Sequence, residues 1–200
     1  TPEVSMSVVA MPQIEVEFEW ASPIAKHIGT VTHSILQLIC RDDWSRRNAQ
    51  RIHELAPYID GRLRGLGVAA DDRLVAQTTI IAAAVAVVNS ERGRWIMDEC
   101  HHDASSEYAL TSVLNGRAIN IIIDRTFIDS EGLRWIIDFK TGTHSGGAKD
   151  TFIDTEVERY RPQLERYAQL MRRQDPRPIA LGLHFPLLDA WREWRYSGND

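Results

Sequence analysis

The chain has 200 residues, 44% of them apolar, which is enough to bury one sizeable core and predicts one domain. Its formal charge of −5 excludes a global basic field that would gather nucleic acid unaided, and its two cysteines, Cys40 and Cys100, indicate neither a disulfide framework nor a zinc motif. No signal peptide is visible, and the longest apolar run, Ile80 to Val88, is too short to cross a bilayer, so the chain reads as intracellular and membrane-free.

Residues 1–20 predict an extended segment in which Ile14, Val16, Phe18 and Trp20 alternate with Glu15, Glu17 and Glu19. The missing initial Met fits a piece of a longer polypeptide. Residues 21–200 predict a single domain, helical over about 21–92 and sheet-forming with a late helix over about 93–200. Ser22-Pro23 opens a helix to about Cys40 with an apolar stripe of Ile28, Val31, Ile35 and Leu38. His33 lies off that stripe, in line with Gly29, Leu36 and Cys40, and Gly29 would let another backbone approach beside it. Ser45 to Leu66 predicts a second helix, broken at Gly65-x-Gly67, and Asp71-Asp72 would cap a third that runs to about Asn89 and is buried over Ile80–Val88. Arg46, Arg47, Arg51, Arg62 and Arg64 read as a solvated helix face.

Trp95-Ile96-Met97-Asp98 is expected to begin the sheet and Glu107-Tyr108-Ala109-Leu110 to continue it, with His101 and His102 in a polar loop. Ile119 to Asp129 is a β-branched run with Asp124 inside it, and the stretch from Trp135 is a shorter one that ends in Asp138-Phe139-Lys140 and breaks at Thr141-Gly142. Asp129-Ser130-Glu131-Gly132 between them is turn composition, so the two runs predict an antiparallel hairpin. With the turn centred on Glu131, Asp124 falls opposite Asp138, and Lys140 shares the face of Asp138. Two carboxylates this close repel each other unless a divalent cation joins them, and oxygen ligands suit Mg²⁺ or Mn²⁺. An isolated Asp-x-Lys is more often a structural ion pair. The chain holds only three lysines, Lys26, Lys140 and Lys149, so a Lys here is less readily filler.

Thr141 to Asp150 reads as a flexible Gly-rich loop following this strand. Beyond it, Tyr160 to Leu170 has helical spacing, with Pro162 expected in its first turn. Gln163 and Tyr167 share one face, beside an apolar stripe of Leu164, Ala168 and Met171. Ile179–Phe185 and Trp191–Tyr196 predict terminal strands.

Strand-borne Ile123-Asp124-Arg125, then Ile136-Ile137-Asp138-Phe139-Lys140-Thr141-Gly142, then Gln163-x-x-x-Tyr167 on a helix resembles the RecB-like branch of the PD-(D/E)XK nucleases. That branch carries an upstream His in a Gly-Thr-x-x-His context, matched here by Gly29-Thr30-Val31-Thr32-His33. The resemblance spans about Trp20 to Asp189. It implies a restriction-endonuclease-like α/β core, a mixed central sheet flanked by helices behind a helical N-terminal portion. It also implies Mg²⁺- or Mn²⁺-dependent hydrolysis of DNA, exonuclease rather than endonuclease. His33, Asp124, Asp138 and the Phe139 carbonyl would hold the metal. Lys140 would stabilise charge beside the attacking water, and Gln163 and Tyr167 would position the phosphate. Glu107 matches an additional acid of the family, whose role stays open between second metal site, ligand orienter and edge-strand acid. No iron–sulfur cluster is expected, because the four cysteines that some relatives use are missing. The implied partners are DNA and helicase domains, in the same polypeptide or in a partner subunit. The implied setting is the cytoplasm at the bacterial nucleoid, in DNA end processing and recombinational repair. The alternative is a catalytically silent copy of the fold that binds DNA or docks a subunit.

Overall fold

The computed structural model describes residues 23–42, 47–114, 117–144 and 148–198. The N-terminal extended segment and Arg46 lie outside them. Helix α1 (Pro23–Cys40) starts on a proline, whose missing N–H costs nothing at that position, and buries Val31, Thr32, Ile35, Leu36 and Ile39. The expected second helix is two: α2 (Ala49–Glu54) and α3 (Ala56–Gly65). Pro57 explains the break, because a proline cannot donate back into the preceding turn. Helix α4 (Ala70–Asn89) buries Ala76, Ile80, Ala83, Ala84, Val87 and Val88. Asp71 and Asp72 sit inside its first turn and serve the helix dipole, while Ala69 occupies the cap position without a side-chain bond, which corrects their assignment as caps.

Trp95 and Ile96 do not begin the sheet. They end a short helix, α5 (Glu91–Ile96), which Ser90 caps by accepting from Gly93 N at 3.0 Å. Trp95-Ile96-Met97 has strand-like composition, but it is too short to carry a period and the packing that makes it helical is non-local. Trp95 packs edge-on against the rings of Phe127 and Trp135, at 5.1 Å each, and covers the sheet from outside.

The sheet follows as β1 (His102–Leu114), β2 (Arg117–Ile128), β3 (Arg134–Phe139), β4 (Ile179–Phe185) and β5 (Ala190–Arg195), in that spatial order. All neighbours are antiparallel except β3 and β4, which are joined through helix α6 (Lys149–Arg172). Asp129 builds the β2–β3 turn: its Oδ1 accepts from the backbone N–H of Glu131 and Leu133, and Gly132 takes the φ of +78° that the turn needs. The register, Phe127 with Trp135 and Arg125 with Ile137, centres the hairpin on Glu131 as expected.

α6 begins at Lys149, so Lys149 and Asp150 are helical, and Pro162 lies inside the helix and not in its first turn. The stripe Leu164, Ala168, Met171 extends backwards through Val157 and Ile153, and this burial holds the helix across a missing backbone donor. Successive β3 residues split between two apolar clusters. Trp135, Ile137 and Phe139 pack with α1 and α4, while Ile136 packs with α6. The fold is thus a mixed five-stranded sheet between a helical N-terminal part and one long helix. Both layers overlap at the end of β3, where the polar residues gather.

Candidate active site

The β2–β3 ladder runs to Arg125 opposite Ile137, and the next step of that register sets Asp124 opposite Asp138. On the other flank, Ser106 pairs with Arg125 and Tyr108 with Ile123, which brackets Glu107 opposite Asp124. Three acids therefore form a row across three adjacent strands. Glu107 holds a left-handed backbone at φ +52°, a strained conformation for a residue with a side chain.

His33 of α1 joins the row. Its Nδ1 lies 3.3 Å from Asp124 Oδ1 and 3.9 Å from Glu107 Oε1, and its Nε2 lies 3.1 Å from the Phe139 carbonyl. A carbonyl only accepts, so Nε2 carries the proton in that contact. In the neutral ring the Nδ1 lone pair then faces two carboxylates. Three electron-pair donors pointing at each other need a proton or a cation between them. The ligand atoms of His33, Glu107 and Asp124 all lie within 4.8 Å of one another. These three line a cavity of about 10 Å³, with Phe139, Ser106 and Arg125 also on its wall, about the space of one water or one bare ion.

Burial and the neighbouring charges set the pKa values of the group. Burial, then the neighbouring Asp138, push the Asp124 carboxyl up to about 7, against the opposing pull of His33, Lys140 and the Phe139 N–H. Burial pulls His33 down, but Asp124, Asp138, the Phe139 carbonyl and Glu107 together outweigh it and raise its pKa. Asp124 Oδ2 accepts from Phe139 N at 2.8 Å, which fixes the carboxylate against β3.

Asp138 stands apart from the His33–Glu107–Asp124 group. Its Oδ2 lies 2.9 Å from Lys140 Nζ as an ion pair, and that buried oxygen has no hydrogen bond of good geometry. A buried carboxylate oxygen whose one close partner is an ammonium, next to a row of further acids, can also serve as a ligand to a cation. Burial pulls the Lys140 ammonium down in pKa. Asp138, Tyr160 and Asp124 more than reverse this, so its pKa is raised and the charged form is favoured. On α6, Gln163 Nε2 donates to the Tyr167 hydroxyl at 2.7 Å, so the two expected phosphate-positioning groups hold each other. Burial raises the pKa of Tyr167, with Asp138 and Asp124 adding to it.

Residues 14–189 match the PD-(D/E)XK nuclease superfamily. The chain belongs to that superfamily. Among curated proteins, none matches it. Asp138-Phe139-Lys140 has the (D/E)XK pattern of the superfamily's name, while Asp124 follows Ile123 where the name has proline. PD-(D/E)XK nucleases generally use divalent metals, and the donor set of His33, Glu107 and Asp124, with the Asp138 carboxylate on the adjacent strand, fits one.

Two neighbours of this PD-(D/E)XK centre have contacts to which the sequence assigns no role. Arg125 is buried beside it, giving its N–H groups to the carbonyls of Ile96 and Asp98 and to Ser106 Oγ, which ties α5 to the strand row. Tyr160 of α6 places its ring centroid 3.6 Å from Lys140 Nζ. Its spacing from Gln163 and Tyr167 by three and seven residues was the available signal. Among the described residues no helix is long and apolar enough to cross a membrane.

Proposed function

We propose that this chain is a metal-dependent DNA nuclease of the RecB-like branch that hydrolyses phosphodiester bonds, working from DNA ends. The observation that carries this reading is the convergence of His33, Glu107 and Asp124 within 4.8 Å beside the Asp138–Lys140 pair. His33, Asp124, Asp138 and the Phe139 carbonyl would hold Mg²⁺ or Mn²⁺, with Glu107 as the further ligand. Bound there, such an ion acidifies water and neutralises charge on a phosphate oxygen.

The chain's own groups supply the rest. Lys140, kept cationic, offers its N–H donors to the oxygen on which negative charge grows. Phe139 N–H and the His33 ring hold Asp124 in place from two sides. Gln163 and Tyr167 would exchange their mutual hydrogen bond for bonds to the phosphate. With a charge of −5 the chain does not attract DNA by itself, which supports delivery by helicase domains, in the same polypeptide or a partner subunit, during end processing and recombinational repair. The setting that goes with this role is the bacterial cytoplasm at the nucleoid.

The test is cleavage of end-labelled DNA with Mg²⁺ and with Mn²⁺, set beside ion binding by calorimetry, with Asp138→Ala as control. Cleavage and ion binding that both vanish in Asp138→Ala support the reading. Ion-independent DNA binding without cleavage, unchanged by Asp138→Ala, points instead to a silent copy of the fold.

A further inference from the structure

Two partners hold the Lys140 ammonium: Asp138 Oδ2 at 2.9 Å, and the face of Tyr160, whose ring centroid is 3.6 Å from Nζ. They differ in kind. A carboxylate accepts hydrogen bonds and occupies N–H donors, and Asp138 is also one of the groups that the metal would draw on. An aromatic face attracts a cation through its quadrupole and takes up no in-line hydrogen bond, so the three N–H donors stay available to other oxygens. Tyr160, Gln163 and Tyr167 project from one side of α6, so a single rigid element carries the ring and the two proposed phosphate contacts.

We propose that Tyr160 is a positioning residue for Lys140: its ring keeps the ammonium aimed at the reacting phosphate when the Asp138 carboxylate turns to the metal. This deepens the nuclease reading and rests on it. Tyr160 acts through Lys140 and does not touch substrate. Without the ring, an ammonium released by Asp138 has a flexible four-carbon stem and no fixed direction.

The three lysines make the contact directly observable. Labelling lysine with ¹³C at Cε gives three signals, and a methylene lying over a ring face is shifted upfield by the ring current. Lys140→Arg identifies its own signal by deleting it. The expected wild-type result is one upfield signal that persists at saturating Mg²⁺. It should survive in Tyr160→Phe, which keeps the ring, and return to the ordinary lysine position in Tyr160→Leu.

In cleavage of end-labelled DNA, Tyr160→Leu should lower kcat on the order of tenfold with KM little changed, and Tyr160→Phe should recover most of that loss. Absence of an upfield Lys140 signal in the wild type, or its collapse when Mg²⁺ is added, overturns the proposal whatever the cleavage rate. Should Tyr160→Leu fail to fold, the wild-type Mg²⁺ titration and Tyr160→Phe still decide it. A wild-type protein with the shifted signal and no cleavage supports the contact and sinks the nuclease reading instead, so the two failures are told apart.

Discussion

His184 gives a stability prediction with a defined sign. It lies on β4, paired with Phe139 of β3, 2% exposed, and its Nδ1 is buried without a hydrogen-bond partner. Burial first, and the Arg92 cation second, lower its pKa from 6.5 to about 4. The unfolded chain therefore takes up a proton as pH falls through about 6.5, while the folded chain resists until about pH 4. The contribution to stability is complete above the unfolded pKa and is lost as pH falls towards the folded one. The full difference corresponds to about 3 kcal/mol, of which about 2 kcal/mol is lost at about pH 5. His184→Leu keeps a similar volume and removes the titration, and with no hydrogen bond at Nδ1 to lose it should cost under about 1.5 kcal/mol near neutral pH. Urea unfolding followed by the fluorescence of the six tryptophans, at about pH 7.5 and about pH 5, measures both proteins. Groups common to both, Asp124 with its raised pKa among them, drop out of the comparison. The variant should gain about 2 kcal/mol on the wild type between the two pH values. A gap that changes by less than about 0.5 kcal/mol would mean that His184 is not held neutral by the fold.

Three further outcomes follow from the site and the sheet. Lys140→Ala should abolish cleavage while calorimetry shows Mn²⁺ affinity retained or improved, because a cation beside the ion site is gone; Asp138→Ala should lose both. Tyr167→Phe removes one hydroxyl and keeps the ring, so cleavage should fall, on the order of a hundredfold at most, with ion affinity and melting temperature level. A silent Tyr167→Phe would strike the helix motif from the site. Gly182→Ala places a Cβ 2.1 Å from the Trp191 indole and should cost about 1–3 kcal/mol in urea unfolding, whereas a neutral result would show that Trp191 is free to move.

The strand half of the candidate site was legible because each step in it is local. Asp129 and Gly132 declare the turn, the turn fixes the register, and period two then assigns faces, so the Asp124–Asp138 opposition follows from the stretch between those two residues alone. The helical half depends on packing at a distance. His33 was singled out by its Gly-Thr-x-x-His context, but nothing local says that α1 lays it against the Phe139 carbonyl. α6 was cut short because its first three turns are mostly polar, with Ile153 and Val157 the only buried positions before Pro162, too sparse a pattern to outweigh a proline that reads as a start. α5 was misread for the opposite reason, since a three-residue apolar run has no period to measure.

Side-chain direction is the deeper gap. Register puts Asp138 next to both Asp124 and Lys140, and it does not say which one the carboxylate faces. Here Lys140 wins, and Glu107, from its left-handed backbone, takes the place beside His33 and Asp124. That outcome follows from charge. Two acids and an imidazole already crowd one point, so a third carboxylate finds its lowest energy against the nearest cation. A divalent ion bound there would shift that balance, because its charge would attract the same oxygen more strongly than one ammonium does. On the proposal above, Asp138 would then turn from Lys140 to the ion, and the ring of Tyr160 would be what still holds the ammonium.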